Sequence, residues 1–137
     1  MAAPTKSLRL PSGLRGEIDR LARRSRRSFS AVTQDLLEEA LRMRACPGIY
    51  FADEPAGREA KVAGTGLGVW EVIRDYLNAN KNVATVRKSL PQLSDTQIKA
   101  CLLYYTRYRD EIDREIAENA ELVPEVTPPK RRATRRE

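Results

Sequence analysis

Thr5, Ser7 and Arg9 alternate with Leu8 and Leu10 in the stretch Thr5-Lys6-Ser7-Leu8-Arg9-Leu10-Pro11. In an extended chain, successive side chains point to opposite faces. Two hydroxyls and a guanidinium therefore share one face, and the two leucines share the other. Pro11 has no N–H to donate and ends the strand. A lone strand leaves its amides and carbonyls unpaired, and residues 1–45 hold no second strand pattern. Its cheapest mate is the same strand of a second copy, antiparallel about a two-fold axis. Leu8 and Leu10 of both chains then cover a shared core. Thr5, Ser7 and Arg9 of both chains line a polar, basic ribbon, and the DNA major groove is wide enough to admit one. The plainer alternative is an edge strand that pairs within its own chain, against a hairpin near Ile49 and Val62.

Two helices must position this strand. Leu14, Ile18, Leu21 and Ala22 recur at helical spacing, as do Val32, Leu36, Leu37, Ala40 and Leu41. Each set makes one apolar stripe. Between them lies Arg23-Arg24-Ser25-Arg26-Arg27-Ser28-Phe29-Ser30, with Ser28 placed to cap the second helix.

Strand, two helices and an Arg-Arg-Ser turn together resemble a ribbon-helix-helix domain of the Arc/MetJ type. The resemblance covers the first third of the chain. It implies that Thr5, Ser7 and Arg9 read bases, with Arg9 a bidentate donor to guanine. It also implies a phosphate clamp at the start of the second helix, formed by the amides near Phe29 and Ser30 with Arg26, Arg27 and Ser28. Helix N-termini suit anions. Many members of that family carry Gly where Arg26 stands, and a left-handed residue there would cost Arg26 roughly 1 kcal/mol.

Charge follows the same division. Residues 1–45 hold ten Lys/Arg against five Asp/Glu, residues 46–123 ten against twelve, and residues 124–137 five against two. A basic excess in the ribbon segment fits a polyanion partner. The 137 residues contain no histidine, which removes the commonest general base and a favoured metal ligand. Cys46 and Cys101 have no metal-ligand spacing. Cys101 reads as core, and Cys46, beside Pro47, as linker. The expectation is a protein that is not an enzyme and uses no metal or cofactor. No apolar run suffices for a membrane span or a signal peptide, which predicts a cytoplasmic chain.

The helix pattern breaks at Ala45-Cys46-Pro47-Gly48, placing a domain boundary there. Ile49-Tyr50-Phe51 and Arg58 to Ala63 read as a small hairpin around a turn at Asp53 to Gly57. Gly64-Thr65-Gly66-Leu67-Gly68 lacks the Gly-Lys-Ser/Thr ending of a phosphate loop and reads as a tight turn feeding a helix. Helices follow at Val69 to Leu77, Asn82 to Leu90, and from Ser94. The Ser94–Gln97 spacing is a capping box. It opens a long helix through Ile98, Cys101, Leu102 and Tyr105 that can continue to Ile116. Helix, short turn and capped helix form a helix-turn-helix. Asp95, Gln97 and Lys99 at its reading end favour a structural or protein-binding role.

Gly64-Thr65-Gly66-Leu67-Gly68-Val69-Trp70-Glu71-Val72, Leu93 to Ile98 and Tyr104-Tyr105 resemble the signature of a small bacterial domain of unknown function found in VapB-type antitoxins. Such antitoxins often accompany PIN-like ribonuclease toxins. With the ribbon-helix-helix in front, the chain resembles a type II antitoxin. That implies operator DNA, a PIN-like toxin and a second copy of the chain as partners. Assembly beyond a dimer on DNA stays open. Trp70 reads as core. Tyr104 and Tyr105 are adjacent on a helix and cannot share one face, so at least one is expected near a surface or a partner. Tyr104, Tyr105 and Tyr108 are the expected toxin contacts, joined by Arg131, Arg132, Arg135 and Arg136 of the tail.

The expected fold is mainly α. A ribbon-helix-helix over 1–45 forms a swapped two-stranded ribbon in a dimer. A hairpin and helix-turn-helix domain spans 46–121, and a disordered basic tail spans 122–137. Two other functions fit the same residues: a repressor with no toxin, and an interaction protein whose ribbon only dimerises it.

Overall fold

The computed structural model describes residues 4–126. These residues are mainly helical. The elements are α1 (Ser12–Ser25), α2 (Phe29–Ala45), β1 (Ile49–Glu54), β2 (Gly57–Val62), α3 (Val69–Asn78), α4 (Val83–Ser89), α5 (Asp95–Arg107) and α6 (Arg109–Val126). The chain divides into two compact units, Met1–Arg42 and Met43–Glu137.

In the first unit, Ile18 and Ala22 of α1 meet Val32 of α2, and Leu10, Leu21 and Phe29 pack around them. The link between the helices is a Schellman turn. The Arg27 amide donates to Ala22 O at 3.0 Å and the Arg26 amide to Arg23 O at 3.2 Å. Arg26 closes α1 in the left-handed region, at φ 57° and ψ 41°. A side chain there meets the following carbonyl. Arg26→Gly should therefore raise stability by about 0.5–1 kcal/mol, read as a higher urea midpoint for the full chain. Ser28 caps α2 as its position suggested, with Oγ accepting from the Ala31 amide at 3.0 Å.

Residues 4–10 form no strand in the single chain. The sheet among the described residues has two strands, β1 and β2. The alternative in which the N-terminal stretch pairs with the hairpin is therefore overturned.

In the second unit, β1 and β2 pair antiparallel from Ile49↔Val62 to Glu54↔Gly57. The strands run further than the sequence suggested, and Pro55-Ala56 alone make the turn. Arg58 and Asp53, opposite one another, form an ion pair at 3.2 Å. The glycine-rich loop is a turn. Gly64 and Gly66 take φ values of 86° and 74°, which other residues avoid. Thr65 Oγ1 accepts from the Leu67 amide and donates to Val62 O, both at 3.0 Å. The loop delivers the chain to α3, where the Glu71 carboxylate accepts from the Gly68 amide at 2.9 Å.

Asn82 caps α4 by accepting from the Thr85 amide at 3.0 Å. Ser94 and Gln97 form the expected capping box at α5. Gln97 also donates from Nε2 to Ala63 O at 3.1 Å, tying the loop after β2 to the start of α5.

The long final helix is two helices. Tyr108 leaves helical geometry at φ −131° and ψ 47°, and α6 starts at Arg109. α6 then runs to Val126, past the expected start of the tail at 122. Asp110 and Glu111 in its first turn suit the positive end of the helix dipole. The break lets α6 pack against α3 as well as α5. Ile112 is fully buried in the resulting core, with Ile49, Val62, Val69, Val72, Ile73, Val86, Leu93, Ile98, Cys101 and Tyr104. Cys46 is fully buried too, so it is a core residue and not linker. Trp70 is only partly buried, against the edge of this core.

Candidate nucleic-acid interface

Thr5, Ser7 and Arg9 are all exposed. Leu10 packs onto the first unit's core, while Leu8 is 74% exposed. An open groove runs between Ser7, Leu8, Arg9 and Leu10 on one side and Arg15 and Phe29 on the other. Arg15 was not foreseen as part of this surface. Its position four residues beyond Pro11 is the only sequence signal that could have found it.

The expected phosphate-contacting residues are adjacent at the start of α2, but their side chains differ in availability. Arg27 Nη1 pairs with Asp35 Oδ2, both half-exposed. Ser28 Oγ is used as the cap, and Phe29 is packed on the core. Ser30 Oγ accepts from Gln34 Nε2 at 3.1 Å. What the helix start leaves without an acceptor is therefore the Phe29 and Ser30 amides, and Arg26, three residues before Phe29, is exposed. The first amides of any helix have no acceptor within it.

The first unit leaves several large apolar side chains exposed. Leu14, Leu37 and Leu41 are 49%, 55% and 68% exposed, beside Leu8. Its buried residues are Ile18, Ala22 and Val32.

The tyrosine cluster corrects the sequence-based expectation. Tyr104 is fully buried and Tyr105 is 7% exposed, with its hydroxyl bonded to the exposed side chains of Asp113 and Arg109. The argument from adjacency held for one helix face. It failed because α6 folds back and covers the second. Tyr104 Oη donates to Glu111 Oε2 at 2.8 Å, and Tyr105 Oη donates to Asp113 Oδ1 at 2.7 Å. Arg109 lies 4.6 Å from the centre of the Tyr105 ring. Burial, and then the Asp113 hydrogen bond, push the Tyr105 hydroxyl pKa up. Both rings, expected as toxin contacts, are largely covered within the second unit. Tyr108 is partly buried and packs against Tyr104 with the rings tilted by 44° and their centres 4.7 Å apart. Arg131, Arg132, Arg135 and Arg136 lie outside the described residues.

Burial pushes the Cys101 thiol up to about 12, so it stays protonated and unreactive. Glu115 on α6 is a perturbed carboxylate that the sequence did not reveal. Glu115 is pushed up to about 7, first by burial and then by Glu111 and Glu59. Burial also raises Glu59 on β2. The signal in the sequence was the like-charge pair Glu111–Glu115 at i,i+4, which works against an isolated helix.

Among the described residues, no set of three or more His, Cys, Asp or Glu is placed to hold a metal ion. No described helix is long and apolar enough to cross a membrane. No curated protein and no solved structure matches this chain. Residues 53–105, from the end of β1 into α5, match the family described as "Protein of unknown function (DUF433)".

Proposed function

We propose that this chain is a homodimeric antitoxin that binds the operator of its own gene pair through residues 5–9 and silences a PIN-like ribonuclease through its C-terminal region. The observation that carries the DNA-binding half is the state of the first unit. An extended segment with hydrogen-bonding side chains on one edge has no strand partner, and Leu8 within it and Leu14, Leu37 and Leu41 of the two helices are open to solvent. About forty residues with so small a core rarely fold alone. A second copy supplies both the missing strand and the missing core.

In the paired state, Arg9 of each chain donates to a guanine and separates the operator from other DNA by roughly 1–3 kcal/mol. Thr5 and Ser7 add weaker contacts. The Phe29 and Ser30 amides and Arg26 hold phosphate and orient the ribbon. Binding by gel shift across a salt series tests these roles. Arg9→Ala should weaken operator binding about 10- to 100-fold and random DNA far less. Arg26→Ala should weaken both alike and lower the salt slope by about one. Equal loss on both DNAs for Arg9→Ala would refute its base-reading role.

The toxin-directed half draws on the family match over residues 53–105, on the resemblance of the whole chain to VapB-type antitoxins, and on the five cations of residues 124–137. PIN-like nucleases gather carboxylates around a divalent metal. An arginine pushed into that cluster displaces the metal and hydrogen-bonds the carboxylates in bidentate fashion. Removing residues 127–137 leaves α6 whole and should relieve inhibition of the toxin. Full neutralisation by the truncated chain would rule the tail out. A repressor with no toxin makes the same DNA predictions, and co-purification with the product of the neighbouring gene separates the two.

A further inference from the structure

Charge in the second unit is divided unevenly along its sequence. Residues 79–107, which hold α4 and α5, carry five Lys/Arg against one Asp/Glu. The rest of residues 46–123 carries five against eleven. The five cations are Lys81, Arg87, Lys88, Lys99 and Arg107, and all are exposed. Lys81, Lys88 and Lys99 form no ion pair among the described residues. The one carboxylate of the segment, Asp95, is engaged by Arg87, with Nη1 3.3 Å from Oδ1.

The fold brings part of this charge onto one face. α3 packs on both α4 and α5. Ile98, Cys101 and Tyr105 turn the inner side of α5 to the core. Thr96, Lys99 and Leu103 recur at i, i+3 and i+7 and make its opposite side. Thr96 and Lys99 are exposed, and Leu103 is 43% exposed. Asp95 stands one turn before Lys99, and its bond to Arg87 brings the end of α4 alongside. Lys88 follows Arg87 in that last turn.

The sequence set Asp95 and Gln97 against a role in DNA binding. Both are occupied. Asp95 is neutralised by Arg87, and Gln97 is spent on the cap of α5 and on Ala63 O at 3.1 Å. What the face offers is Arg87, Lys88, Thr96, Lys99 and Leu103. Protein interfaces are built around Trp and Tyr and are depleted in Lys. This set has two lysines and no aromatic ring. Duplex phosphates call for Lys, Arg and hydroxyl donors, and the Leu103 and Thr96 methyl groups suit a thymine methyl.

We propose that the outer face of α4 and α5 is a second DNA-contacting surface, on which Arg87, Lys88 and Lys99 neutralise duplex phosphates with little regard for base sequence. It is separate from residues 5–9 and does not require the pairing of two copies. A ribbon that reads bases and a second unit that grips the backbone would divide specificity from affinity within one chain.

Binding of the full chain to a labelled random duplex and to the upstream DNA of its own gene, followed by anisotropy from 50 to 200 mM salt, tests the surface. Lys99→Ala should lower the slope of log K against log salt by about one for each copy of the chain on the duplex, alike on both DNAs. Asp95→Asn should tighten binding to both, because it removes the only negative charge of the face. Arg114→Ala, on the acidic α6, removes as much charge as Lys99→Ala and should leave the slope unchanged. The Lys99→Ala effect should persist in an Arg9→Ala background, so failure of the ribbon reading and failure of this one are told apart. An unchanged slope in Lys99→Ala overturns the proposal, as does binding by Asp95→Asn that is no tighter than wild type. Single-stranded RNA of the same length that displaces the duplex at equal concentration would overturn the choice of DNA.

Discussion

Leu8→Asp is expected to abolish dimer formation and operator binding together. Leu8 is 74% exposed in the single chain, so the substitution costs the isolated fold almost nothing. In the paired ribbon the same side chain lies over the shared core, next to its two-fold mate. A carboxylate buried there without a partner costs about 3–5 kcal/mol, and each dimer would bury two. The association constant should fall by at least a hundredfold, and operator binding should fall with it because one chain presents half a ribbon. The melting of residues 43–137 should not change. Sedimentation and gel shift on one preparation check this. A dimer that survives Leu8→Asp would mean that residue 8 is not at the interface.

Tyr104→Ala should have the largest effect on folding. The ring is fully buried, lies edge-on to Phe51 with centres 6.3 Å apart, packs against Tyr108, and joins α5 to α6 through Glu111. Deleting a buried aromatic ring costs about 3–5 kcal/mol through lost burial and the cavity left behind. The Tyr104–Glu111 hydrogen bond between α5 and α6 is lost as well. The second unit should lose most of its stability, seen as a fall in the urea midpoint of near-ultraviolet dichroism. Tyr104→Phe keeps the ring and removes only the hydroxyl, so it should cost about 1 kcal/mol. A loss for Tyr104→Phe equal to that for Tyr104→Ala would show that the hydrogen bond, and not ring packing, holds α6.

Local chemistry made much of this fold legible. Ser28, Asn82 and the Ser94–Gln97 pair cap helices where their side-chain chemistry says they should. Arg26 occupies the left-handed position that the turn required. What could not be read was set by contacts distant in sequence. Nothing around Tyr108 announces a helix break, because Tyr and Arg are compatible with a continuing helix. The break exists because α6 gains more by covering α3 than by extending α5. Burial of Tyr105 follows from that coverage, as does the electrostatic influence of Glu59 on Glu115 across more than fifty residues of sequence. At the candidate DNA surface the difficulty is of another kind. Residues 5–10 have an alternating pattern that calls for a partner strand, and a single chain cannot supply it.

Sedimentation equilibrium of the intact chain at micromolar concentration tests the pairing of residues 5–10 most directly. A ribbon shared by two copies predicts a particle of twice 15.5 kDa, and a shift to 15.5 kDa for Leu8→Asp. A wild-type chain that sediments at 15.5 kDa throughout would contradict the shared ribbon, and with it the base-reading role of Arg9.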